Sequence, residues 1–164
     1  MPPRPSHRLD LLVVPQPGGP EDLSRLRGLW AALEARGVVE AGGGPGPAAD
    51  HLVPGGFRRL RLDDPGHTVL YANQQGGFRV RCPRCDENLV PGFQAARQVG
   101  GVEVACPACG AVTPLPGLRY LPPAAFGRGA LVVAQVESAT FAGGAEALFQ
   151  AHLGAYCVVG RRVS

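Results

Sequence analysis

The chain has 164 residues, 45% hydrophobic content and a formal net charge of +3. That is long enough for one domain with a real core. No apolar run approaches the roughly 20 residues that span a bilayer, and the charge is too mild to imply nucleic acid by itself. All 16 basic residues are arginine, so the lysine that a G-x-x-x-x-G-K-[ST] phosphate loop needs is missing and that class of nucleotide hydrolysis is unsupported.

The start, 1–8, is basic, but the apolar stretch 11–14 is too short for a signal-peptide core and is stopped by Pro15. The expected compartment is a reducing cytoplasm. Residues 9–14 read as a buried strand and 15–19 as a turn. Pro20 suits a first helical position, and Glu21 and Asp22 suit the positive end of the helix. Leu23, Leu26, Trp30 and Leu33 recur at helical spacing, and Gly37 is a good terminator after Arg36. Val38 and Val39 suggest a second strand. Residues 41–56 are Gly/Pro-rich and read as a loop.

Residues 57–62 alternate, with Leu60 and Leu62 on one face and Arg59 and Arg61 on the other. The stretches 68–71 and 78–81 flank Asn73 and a Gly-Gly pair, which predicts a hairpin. A short helix is expected at 92–98, a strand around Val102 and Val104, and an extended proline-rich stretch at 113–123. Residues 130–136 are a continuous apolar run and so a central strand. Gly143 and Gly144 are expected to break the chain. A helix at 145–153 should turn Leu148, Phe149 and Leu153 inward, with Gly154 ending it before a last strand at 155–159.

Four cysteines carry the strongest signal. Cys82-Pro83-Arg84-Cys85 is followed, after 20 residues, by Cys106-Pro107-Ala108-Cys109-Gly110. Zinc takes four ligands in a tetrahedron and thiolates suit it. Two cysteines three positions apart on a tight turn can aim at one ion, and a doubled C-x2-C is a strong zinc pattern. Gly110 allows the left-handed backbone that closes the second turn; Asp86 stands in that place in the first. The reading is one structural zinc on Cys82, Cys85, Cys106 and Cys109, because a closed thiolate shell leaves no position for water. Two disulfides would need an oxidising compartment, and a redox motif would be single. Cys157, in the apolar run 156–159, reads as a buried small hydrophobe.

The layout is β-α-β at both ends with an insert between. The expected fold class is α+β: one domain over 1–164, core halves at 9–40 and 129–162, and a zinc ribbon inserted at 68–113. The specific expectation is a ferredoxin-like split β-α-β sheet. A small three-layer α/β domain with an appended ribbon is the alternative.

The two C-P-x-C pairs resemble the zinc-ribbon class over about a quarter of the chain. The whole layout is also similar to a family of bacterial α+β proteins of uncharacterised activity. The matching residues are the strand start 11–15, the four cysteines, the segment 122–127 and Leu153-Gly154. Some members carry a sugar-transporter ATPase label, which no motif here supports. The resemblance implies a bacterial origin and a zinc site, and no activity.

Three functions follow. The first is a non-enzymatic binding module, with zinc as staple and protein as partner, a hairpin edge being open to strand addition. The second is nucleic-acid binding. Arg58, Arg59, Arg61, Arg79, Arg81 and Arg84 gather near the first knuckle with Phe57, Tyr71 and Phe78 interleaved, and arginine with aromatics is how single strands are gripped. The candidate contacts are Arg79, Arg81 and Arg84; Arg81 and Arg84 would equally balance the thiolate charge. The third is an enzyme with a site no motif announces. His51, His67 and His152 are isolated. The 63–67 stretch reads first as a turn, and Glu21 and Asp22 would repel a phosphate at the first helix.

Overall fold

The computed structural model describes residues 8–16, 18–73 and 78–163. Most of the basic start and the core of the expected turn at 73–77 therefore lie outside the described residues. Strand β1 (Arg8–Pro15) opens the fold. Residues 11–14 are all buried. Leu11 and Val13 face one core, and Leu12 and Val14 face another. Successive strand residues point to opposite faces, so an unbroken apolar run marks a strand covered on both sides.

Helix α1 (Asp22–Ala35) starts after Pro20, not at it. The buried Asp22 carboxylate accepts the Gly19 N–H at 2.9 Å. Leu26, Leu29 and Leu33 are the buried face, while Leu23 and Trp30 are only half-buried. Gly37 sits at φ +72°, with its N–H on Glu34 O and the Val38 N–H on Leu33 O. This is a Schellman end, which requires the left-handed residue that glycine supplies.

Val38 and Val39 do not form the second strand. Both are buried, but Val39 makes only an isolated bridge to Pro45. Residues Ala49, Leu52 and Val53 from the glycine-rich loop also plug the core. The next strand is β2 (Arg59–Asp63). Then come β3 (Val69–Tyr71), β4 (Arg79–Arg81), α2 (Val90–Gln98), β5 (Glu103–Ala105), β6 (Val112–Pro114), β7 (Arg119–Leu121) and β8 (Ala125–Gly127). The chain closes with β9 (Ala130–Val136), α3 (Gly143–Leu153) and β10 (Tyr156–Val163). Gly143 and Gly144 thus lie in the first turn of α3 instead of breaking the chain.

The main sheet has the order β10-β1-β9-β2, and every neighbouring pair is antiparallel. The architecture is mixed α and β, as expected. Both outer helices pack on one face: Leu26, Leu29, Leu33, Phe149 and Leu153 share a core with Leu11, Val13, Leu60, Leu131 and Val133. A bulge lies between Leu9 and Leu11 opposite β9. There Gln135 takes φ +55° and its N–H reaches the buried Asp10 carboxylate at 3.0 Å.

The insert differs from the expected local hairpin. Instead of pairing with each other, β3 pairs with β8 and β4 with β7, while β5 pairs with β6. The pairs are nested, so the chain walks out from the sheet and returns along its own path. β3 and β8 cover the second sheet face, with Tyr71 and Ala125 packed on Leu12, Val14, Ala130 and Val132. Gln16 Nε2 donates to Phe126 O at 2.8 Å and ties β1 to this strand pair.

Candidate metal centre

Both knuckles have the same backbone wiring. The Cys82 N–H bonds Glu87 O and the Asp86 N–H bonds Cys82 O; the Cys106 N–H bonds Ala111 O and the Gly110 N–H bonds Cys106 O. Asp86 at φ +66° and Gly110 at φ +75° occupy equivalent places. These left-handed residues reverse the chain just beyond the second cysteine of each pair, so both sulfurs of a pair face one point.

The pairs then meet. Cys82 Sγ is 3.7 Å from Cys109 Sγ and Cys85 Sγ is 3.5 Å from Cys106 Sγ. All four sulfurs lie within 4.8 Å of one another. A tetrahedron of sulfurs about 2.3 Å from a zinc ion has edges of about 3.8 Å. The four cysteines are therefore positioned to bind a metal ion. The first cysteine of each pair is buried, Cys85 is exposed and Cys109 is between.

Backbone amides favour the thiolates. The N–H groups of Cys85 and then Arg84 draw the Cys82 thiol down to about 7 against its burial. At Cys85 the Glu87 N–H also pulls down, but desolvation and the crowding thiols of Cys106, Cys109 and Cys82 outweigh it and push the group up to about 12. The thiols crowding Cys85 oppose its ionisation unless a cation neutralises it, which is the donor chemistry of a thiolate metal site.

The centre rests on its own core. Cys82 and Cys106 pack with Val80, Leu89, Phe93, Val104, Leu115, Leu118 and Tyr120. Tyr120 stacks on Phe78 at 5.8 Å and meets Phe93 edge-on at 5.7 Å.

The arginines near the first knuckle divide. Arg81 Nη1 donates to Asp86 O at 3.2 Å. Arg119, directly opposite Arg81 across β4–β7, pairs with the Asp86 carboxylate. Arg79 and Arg84 are exposed. Arg119 escaped sequence reasoning because its partners lie more than thirty residues away along the chain. Of the interleaved aromatics, Phe57 and Tyr71 are buried; Tyr71 donates to Asp63 Oδ2 at 2.7 Å.

The remaining candidates stay apart from the metal centre. Asp64 accepts the Gly66 N–H and the His67 ring bonds Pro65 O, so 63–67 is a self-bonded turn. His51 is exposed, and His152 is half-buried, facing Gly28 of α1. Cys157 is half-buried, and burial raises its thiol above the ordinary value. An unionised thiol is a poor nucleophile. No helix among the described residues is long and apolar enough to cross a membrane. No family model, curated protein or solved structure matches the chain.

Proposed function

We propose that the protein is a non-enzymatic interaction module of a bacterial cytoplasm whose partner is another protein, and that Cys82, Cys85, Cys106 and Cys109 hold one structural zinc. The observation that carries the reading is the matched pair of knuckles closing four sulfurs over a dedicated core. Zinc is the metal that four thiolates in this arrangement suit best, and its role with no open position is to hold the fold. Val99, Val102 and Val112, on the α2–β5–β6 side of the centre, are 83%, 73% and 57% exposed. Apolar surface left open on a small metal-stapled unit favours a protein partner.

The ferredoxin-like reading of the core is supported by connectivity. Antiparallel neighbours make β1 and β2 parallel with β9 between them, and β9 and β10 parallel with β1 between them. α1 bridges the first pair and α3 the second, on one face. With β3–β8 on the other face, the three-layer description has the same elements to draw on. The insert is then a zinc ribbon that β7 and β8 complete beyond residue 113.

Elemental analysis of the purified chain should give one zinc per molecule. Chelation should remove it together with part of the circular dichroism signal. A metal-free protein with free thiols and full structure would defeat the assignment.

Nucleic-acid binding through Arg79, Arg81 and Arg84 is the alternative, favoured by the exposure of Arg79 and Arg84. Against it, Arg81 is engaged at Asp86 and two of the three aromatics are buried. We expect no oligonucleotide affinity that falls steeply with salt. Such an affinity, abolished by Arg79→Ala/Arg81→Ala with zinc retained, would replace the protein-partner reading.

A further inference from the structure

A second surface lies on the opposite side of the main sheet's core from β10. β2 is an outer strand of that sheet. Its Leu60 N–H leaves the ladder and bonds Gly43 O at 2.7 Å. Gly43 sits so close that a side chain there would strike Leu60 O. The Gly43 contact therefore begins a strand-like pairing along the outer edge of β2 and stops. Backbone groups alternate in direction along an edge strand, so Leu62 is the next position to point outward.

Beside this edge is a cavity of about 390 Å³ lined by Arg27, Trp30, Ala41, Gly42 and residues 59–62. Trp30 and Leu62 are only half-buried. The rim is cationic. Among the described residues, the Arg27 and Arg59 side chains have no hydrogen bond or ion pair. Arg61 has a loose contact with Asp63 at 3.8 Å, both side chains being well exposed. Among the described residues, Asp63 is the single carboxylate ion-paired with these three guanidinium groups.

We propose that this groove docks an extended acidic segment of a partner protein, which adds outside β2 as a further strand. The inference rests on the reading of the chain as a protein-interaction module and names the surface and the chemistry of the partner. The alternation of β2 sets the required pattern. Arg59 and Arg61 lie on one face, and Leu60 and Leu62 on the other beside Trp30. An incoming strand that pairs at Leu62, beyond the Gly43 contact, places a carboxylate across from Arg61, with Arg59 one step away on the same face. Its intervening apolar side chains then fall on Leu62 and Trp30. Main-chain bonds to the Leu62 edge supply affinity, and the alternating side chains supply selection.

Trp30 is the chain's one tryptophan, so its emission reports on the groove directly. The probes are a short synthetic peptide alternating glutamate and valine, its lysine–valine counterpart, and an all-glutamate peptide. The glutamate–valine peptide should shift Trp30 emission saturably and the other two should bind at least about tenfold more weakly. Arg59→Glu/Arg61→Glu should weaken that peptide by about tenfold or more and turn preference toward the lysine–valine peptide. Should that double variant misfold by circular dichroism, the single exposed change Arg61→Glu carries the same test.

No saturable shift with the glutamate–valine peptide overturns the proposal, as does binding indifferent to the reversals. A single-stranded oligonucleotide that displaces the peptide also overturns it, by giving the groove to nucleic acid. A protein partner retained by Arg59→Glu/Arg61→Glu but lost by Cys106→Ser overturns the groove while leaving the interaction-module reading intact.

Discussion

Cys106→Ser should release the metal and loosen the ribbon from β4 to β7 while the main sheet stays folded. A structural zinc contributes on the order of 10–16 kcal/mol of apparent binding free energy at neutral pH. Serine keeps the size of the side chain but offers a hydroxyl in place of a soft thiolate. Cys106 is buried against Val104, Leu115 and Tyr120, so the substitution also places a polar group in that core. The three-residue strands β4, β5, β6 and β7 are too short to persist without the metal. The main sheet has a separate helix-side core that contains no cysteine ligand. Metal content should fall from one equivalent to none, and amide protection should vanish around 79–121 but survive in β1 and β9. Cys157→Ser, remote from the knuckles, should keep the metal. A Cys106→Ser protein with full metal and unchanged protection would remove these four sulfurs as the site.

The same division explains what could be read from the sequence. The knuckles were legible because their chemistry is local: ligand spacing, proline, and a left-handed position all fall within five residues. The central strands were legible because β1 and β9 are covered on both faces, which leaves an uninterrupted apolar run. Pairing was not legible. Val38 and Val39 are as apolar as a strand and as buried, yet β9 takes Arg59–Asp63 as its neighbour, a choice made by contacts between residues as far apart as Arg59 and Ala134. Likewise the glycines after Asn73 suggested that β3 turns into β4. Tyr71 and Val80 instead find their neighbours in Ala125 and Tyr120 on the returning chain. On α1 the helical spacing picks out Leu26 and Leu33, which are buried, but passes over Leu29, which is interior, and Trp30 is half-exposed. That difference creates the groove beside β2, which no motif announced. Its signal in the sequence was the Arg59–Leu62 alternation, visible as a strand pattern but not as an unshared edge.

Phe149→Ala should produce the opposite dissociation. Phe149 is fully buried in α3, edge-on to Phe141 at 4.8 Å and to Tyr156 at 5.6 Å. It joins the helix to the strand that follows and to the loop before it. Truncating a buried phenylalanine costs about 3–5 kcal/mol through lost transfer free energy and the cavity left behind. In a chain of this size that lowers the melting temperature by on the order of 10 °C. The cavity opens among Ala145, Leu153 and the α1 leucines, and none of these touches the core under the metal. The metal should therefore stay bound at one equivalent below the melting transition. The two cores communicate through β3 and β8, whose Tyr71 and Ala125 pack on the sheet while Leu70 and Phe126 pack against the ribbon core. If Phe149→Ala also weakens metal retention under chelator, that shared pair of strands transmits the damage and the chain unfolds as one unit. If metal retention is unaltered, the four-cysteine unit is an autonomous staple carried on an α+β platform, and each surface can take its own partner.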